Sequence, residues 1–130
     1  MSATQSKTGT GQKPGWIWTY DAQAFGNSGV IYGGPSSLES IIVTNKAASG
    51  TLYVQFFDAA SVPSNSAVPT FAPIIVPAAS TVRIVLNDVG REGYDGIAAV
   101  TGWCWAASTT AGTLTVDATS SVWVTARYVS

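Results

Sequence analysis

Seven carboxylates, one thiol and no histidine are the groups on this 130-residue chain from which chemistry could be built. The carboxylates are Asp21, Glu39, Asp58, Asp88, Glu92, Asp95 and Asp117, and only Asp88, Glu92 and Asp95 cluster. General acid/base work needs two carboxyl groups held at one bond with separated pKa values. The 87–96 segment, NDVGREGYDG, could instead offer oxygens to Ca²⁺, but its spacing departs from the D-x-[DN]-x-[DN]-G loop. A solvated turn with Arg91 paired internally is the favoured reading. Cys104 lacks the histidine that would activate a nucleophilic thiol, and it sits between two tryptophans as a small apolar residue would. Without histidine, and with a single cysteine, His-based triads, zinc ribbons and CxxC redox motifs drop out together. No catalytic residue, metal ligand or cofactor site is therefore expected.

Aromatic side chains are the other candidates. Trp16, Trp18 and Tyr20 alternate along one segment, and Trp103 and Trp105 along another, so each set shares a face if the chain is extended. Such pairs could stack on sugar rings, with Trp103 and Trp105 as the glycan platform. They could equally fill a core or a subunit interface, where aromatic area is enriched. The second use is favoured, because few polar groups near Trp103 in sequence could hold a sugar hydroxyl.

The elements that would position these residues are strands. Val, Ile and Thr number 14, 8 and 15 against 4 Leu and 2 Glu, and 13 Gly with 6 Pro punctuate short apolar runs. β-Branched residues in short, turn-bounded runs predict an all-β domain, a single antiparallel β-sandwich of about seven to nine strands, jelly-roll or immunoglobulin-like. A chain of this length is one domain burying roughly two-thirds of its unfolded surface. Residues 1–15 carry no large apolar group after Met1 and read as a flexible arm; residues 16–130 form the sandwich.

Within the sandwich, residues 38–44 read as a strand buried on both faces, joined through a hairpin at 45–50 to the next at 51–57. In 51–57, Leu52, Val54 and Phe56 face one way, and Tyr53, Gln55 and Phe57 the other. That second face is apolar enough to meet another subunit, making Tyr53, Phe57, Phe71 and Trp123 candidates for an oligomer interface. Residues 58–71 are long for a structureless connection, as functional or pinned loops are. Pro73 and Pro77 bracket Ile74-Ile75-Val76, which marks an edge strand or strand end. Further strands are expected at 30–32, 80–87, 94–101, 103–107, 114–116 and 122–129.

Charge narrows the partners. Six basic and seven acidic side chains give a net charge of −1 without a basic cluster, so nucleic acid is not expected to bind. No apolar run reaches the roughly 18 residues of a membrane helix, and the first residues lack the apolar stretch of a signal peptide. Synthesis in a reducing cytoplasm, with no membrane partner, fits these features.

Phe57-Asp58-Ala59 with Val62-Pro63, Pro73 to Thr81, Gly96-Ile97, Ser108-Thr109-Thr110, Leu114-Thr115 and Trp123 to Tyr128 together form a pattern of strands and turns over roughly residues 38–128. In this pattern the chain resembles small β-sandwich structural proteins of tailed-bacteriophage virions, of the capsid-decoration or cement kind. Ser66 and Ala79 stand where such turns would carry glycine, and the arm before Trp16 has no counterpart. The resemblance implies a non-enzymatic protein of the capsid surface, made in the host cytoplasm, partnered by the major capsid protein and associating as a homo-oligomer, favourably a trimer. Lys7, Lys13, Trp16, Trp18 and Tyr20 would then be the arm and anchor that bind the capsid. A carbohydrate-binding module, or a minor neck or tail protein of the virion, is the alternative.

Overall fold

The computed structural model describes residues 2–7, 16–86 and 96–130. These contain ten strands: β1 (Ser2–Lys7), β2 (Trp16–Asp21), β3 (Ser28–Tyr32), β4 (Ser36–Asn45), β5 (Leu52–Asp58), β6 (Ile74–Val76), β7 (Ser80–Val85), β8 (Ile97–Ala99), β9 (Trp103–Ser108) and β10 (Val122–Val129). They form two antiparallel sheets, as a β-sandwich requires. The larger runs β1-β2-β10-β4-β7, with β8 also on β4; the smaller runs β3-β9-β5-β6.

Period-two alternation sets the core. From the larger sheet, Tyr20, Leu38, Ile41, Val43, Val122, Val124, Ala126 and Tyr128 point inward; from the smaller, Ile31, Leu52, Val54, Phe56, Ile74, Val76, Trp103, Trp105 and Ala107 meet them. At the centre, the Trp105 indole N–H donates to the Tyr20 hydroxyl at 3.0 Å, joining the two sheets inside the core. Gly29 of β3 lies over this bond. A Cβ there would sit 2.5 Å from the Tyr20 oxygen and 2.8 Å from Trp105 Nε1.

Several expectations change. Residues 45–50 are not a hairpin, because β4 and β5 belong to different sheets and the link crosses the sandwich. Asn45 makes the crossing possible. Its buried amide donates to Val76 O at 3.1 Å, on the opposite sheet, and its Oδ1 accepts the Ala47 N–H at 3.0 Å. Residues 77–79 cross in the same way, from β6 to β7. Leu114 to Val116 form no full strand, only a bridge from Val116 to Ser108. Ser2–Lys7, assigned by composition to a flexible arm, pairs with β2 from Ser2↔Asp21 to Lys7↔Trp16. A ladder of backbone bonds requires no apolar side chain, which is why composition did not reveal it.

Other expectations hold. β6, with its flanking prolines, is an edge strand of the smaller sheet. Four non-glycine residues, Gln23, Ser66, Ala79 and Ser120, take φ of 66°, 78°, 54° and 52° in the left-handed region, the second and third being the positions where the resemblance implies glycine.

Two outcomes test this account. Tyr20→Phe leaves the buried Trp105 N–H unpaired and should cost about 1–3 kcal/mol in urea unfolding, with little change in the native far-UV spectrum. Ala79→Gly relieves left-handed strain of ~1–2 kcal/mol against an added unfolded-state entropy of ~0.5–1 kcal/mol, so it should stabilise by about 0.5–1 kcal/mol in the same assay.

Candidate functional site

The outer face of the smaller sheet, carrying Tyr53, Gln55 and Phe57, was expected to meet another subunit. The chain covers most of it itself. Phe57 packs with Ala106 and Leu114, and Ala59, Val62, Ala67 and Val116 close around them as a second, smaller core. The two covering segments are zipped together: Ser66 N–H donates to Leu114 O and Leu114 N–H to Ala67 O, each at 2.8 Å. The Val116 N–H donates to Asn65 Oδ1 at 3.0 Å.

Gln55 holds the rest. Its amide is fully buried, and Nε2 faces the carbonyls of Thr110, Ala111 and Thr113 at 2.8, 3.1 and 3.2 Å. Ser108 Oγ stands in the same turn, donating to Thr110 O at 2.7 Å and accepting the Thr115 N–H at 3.0 Å. Phe57 is thus an internal packing residue rather than an interface residue. Tyr53 is half-buried, next to Ile75 on the edge strand β6, which is 59% exposed. These two mark the open part of that face.

The remaining interface candidates are engaged within the chain. The half-buried Phe71 stacks on Phe56, with centroids 5.7 Å apart, and meets Trp103 edge-on at 5.5 Å. Trp123 lies on the outer face of the larger sheet and donates its indole N–H to Asp21 Oδ1 at 2.8 Å. Phe25 packs edge-on against Trp123 at 5.3 Å, and Lys46 Nζ sits 4.5 Å from the Phe25 centroid. With the Gly26 and Val122 backbones bonded in both directions, this cluster fastens residues 22–27 to β10.

The proposed glycan platform is closed. Trp103 and Trp105 are 0% and 1% exposed in the sandwich core, so neither ring can be reached by a sugar. Tyr20 is buried in the core, and the half-buried Trp18 packs against it. Lys7 and Trp16 pair through their backbones at the ends of β1 and β2, and Lys13 lies outside the described residues. So does the 87–95 segment with Asp88, Glu92 and Asp95.

Cys104 is buried and donates to Ala59 O at 3.0 Å; burial pushes its thiol up to about 11, well away from the thiolate a nucleophile needs. Burial likewise raises Tyr20 and Tyr128. Among the described residues no group of three or more His, Cys, Asp or Glu could hold a metal ion, and no helix is long and apolar enough to cross a membrane.

Asp58 is a carboxylate whose built environment the sequence does not show. At the end of β5 it accepts the consecutive backbone N–H groups of Val100, Thr101 and Gly102, at 3.0, 2.8 and 3.2 Å. Its own N–H donates to Thr70 Oγ1 at 2.7 Å. One residue therefore ties β5, the 59–71 connection and the turn before β9 together, through its side chain and its own backbone N–H. Gly102 is required beneath it, since a Cβ would fall 2.7 Å from Tyr32 O and 2.9 Å from Ala59 O. The sequence signal was only an Asp at the end of a strand, because its donors lie more than 40 residues away.

Comparison with protein-family models, with curated proteins and with solved structures finds no match to this chain.

The N–H groups of Val100 and Thr101 hold the Asp58 carboxyl below its usual range. A carboxylate depressed in the folded state stabilises above its unfolded pKa, and that contribution is lost as pH falls through the folded value. Asp58→Asn should therefore melt below wild type at pH 7, with the two melting temperatures converging as pH falls below about 4. A gap independent of pH would show that the carboxylate charge is not what holds this corner.

Proposed function

We propose that this chain is a non-enzymatic structural protein of tailed-bacteriophage virions, a decoration or cement protein that binds the major capsid protein at the head surface. The observation that carries this reading is the behaviour of the turns. Ser66 and Ala79 interrupt the resemblance in amino-acid type, yet both adopt the left-handed backbone that glycine would supply there. A left-handed turn at these two positions supports the reading, since it is the backbone the resemblance implies there.

The chemistry of the chain supports the same reading. Its thiol is buried and held protonated, its central tryptophans fill the core, and Asp58 and Asp21 are bound to donors of the chain itself. Contact with a capsid would fall to strand edges, to the Tyr53–Ile75 edge of the smaller sheet, and to the uncovered outer face of the larger sheet. There Ile42 and Val85 stand exposed beside Arg83, and Thr44 and Thr81 share a hydroxyl hydrogen bond at 2.9 Å. A net charge of −1 lets many copies crowd on one shell with little mutual repulsion.

Two measurements test the proposal. Quantitative peptide counting on purified particles should give copies of this chain approaching one per major capsid subunit. A few copies per particle would assign a neck or tail position instead, and absence from the particle would overturn the reading. Ile75→Asp changes an exposed side chain of the sheet edge and should lower occupancy on the particle at least tenfold while leaving the melting temperature nearly unchanged.

A further inference from the structure

Among the described strands, only β1 has no apolar residue larger than alanine in its sequence. β1 reads Ser2-Ala3-Thr4-Gln5-Ser6-Lys7 and pairs with β2 through a backbone ladder running from Ser2↔Asp21 to Lys7↔Trp16. Nothing in that ladder requires both strands to come from one molecule. The same six residues from a second copy would make the same bonds with the same β2.

The connection is long enough for such an exchange. Antiparallel neighbours in tight hairpins are joined by two to five residues or so, whereas eight residues, TGTGQKPG, separate Lys7 from Trp16. Extended, that stretch spans about 30 Å, some six times the ~4.8 Å spacing between strands.

We propose that β1 is an exchange strand: residues 2–7 of one copy complete the larger sheet of a neighbouring copy by pairing with its β2. The occupant of the β2 edge is then a segment of this same chain, and copies are linked by backbone bonds that carry no dependence on the buried aromatic residues. The inference goes beyond the virion reading by naming the contact through which copies associate. It is tested in solution, so its failure leaves the particle measurement untouched.

The experiment uses the full chain. Light scattering after size exclusion, over a hundredfold range of concentration, should give a mass that is a whole multiple of 13.4 kDa. In a strand, successive N–H groups point to opposite sides, so Thr4→Pro with Gln5→Pro removes at least one bond to β2 whichever residue faces it. This double variant should run as a monomer with an unchanged core, read from its tryptophan fluorescence. A second variant, Thr4→Cys with Thr19→Cys, places thiols on directly paired residues while native Cys104 stays buried. Mild oxidation should yield covalent oligomers on a non-reducing gel. A monomeric wild type, an oligomer that survives the two prolines, or a cysteine variant cross-linked only within its own chain would each overturn the proposal.

Discussion

The sandwich depends on how its central tryptophan is accommodated. Trp105 brings a large apolar ring to the middle of the smaller sheet, but its indole N–H cannot be buried without an acceptor except at considerable cost. Tyr20, reaching in from β2 of the opposite sheet, supplies that acceptor. The bond fixes how far apart the sheets stand at that point and places a tyrosine on β2. It also requires a residue with no side chain on β3, where Gly29 lies within van der Waals distance of both partners. One hydrogen bond thus constrains three strands drawn from both sheets. The neighbouring Trp103 serves volume more than polarity, with Phe71 edge-on against it and Phe56 stacked on Phe71.

A second constraint comes from the opposite side of the smaller sheet. β5 is apolar on both faces, and one face of such a strand must be covered from outside the sandwich. Residues 58–71 and 109–117 provide that cover, and their own backbone polar groups must then be satisfied in a partly dry layer. Gln55 answers for three carbonyls of the 110–113 turn, Ser108 for more of the same turn, and Asp58 for three consecutive N–H groups near residue 101. Each is a polar side chain doing for a loop what a neighbouring strand does for a sheet. The loops are long because they form a layer of the structure.

Most strands could be read in the sequence because period-two alternation is local: 38–44, 51–57, 80–87, 103–107 and 122–129 each announced an extended segment within a few residues. Pro73 and Pro77 marked β6 as an edge for an equally local reason, the missing ladder donor. Which sheet a strand joins is not local. Nothing in Asn45 to Gly50 distinguishes a hairpin from a crossing, because the deciding contact, Asn45 to Val76, spans 31 residues. Alternation also reports that the Tyr53-Gln55-Phe57 face is covered without reporting by what. A subunit was expected where Leu114 and Val62 of the same chain do the covering. Trp103 and Trp105 carried the same ambiguity, since a same-face aromatic pair reads identically whether that face looks into a core or out to solvent.

The distribution of aromatic and ionic groups has a consequence for recognition. Side chains that ordinarily make a compact binding site are already engaged here: Trp18, Trp103 and Trp105 with the core, Trp123 with Asp21 and Phe25, and Asp58 with the 100–102 turn. What the described residues leave outward is extended backbone at the sheet edges, a larger sheet whose outer face mixes threonine with Ile42, Arg83 and Val85, and isolated aliphatic groups such as Ile75. Surfaces of that kind recognise by shape and strand pairing over area, and they gain strength by repetition, many weak contacts acting together at high local concentration. Among the described residues, such a surface fits the proposed place in an array, where each copy would add a small contact to many others.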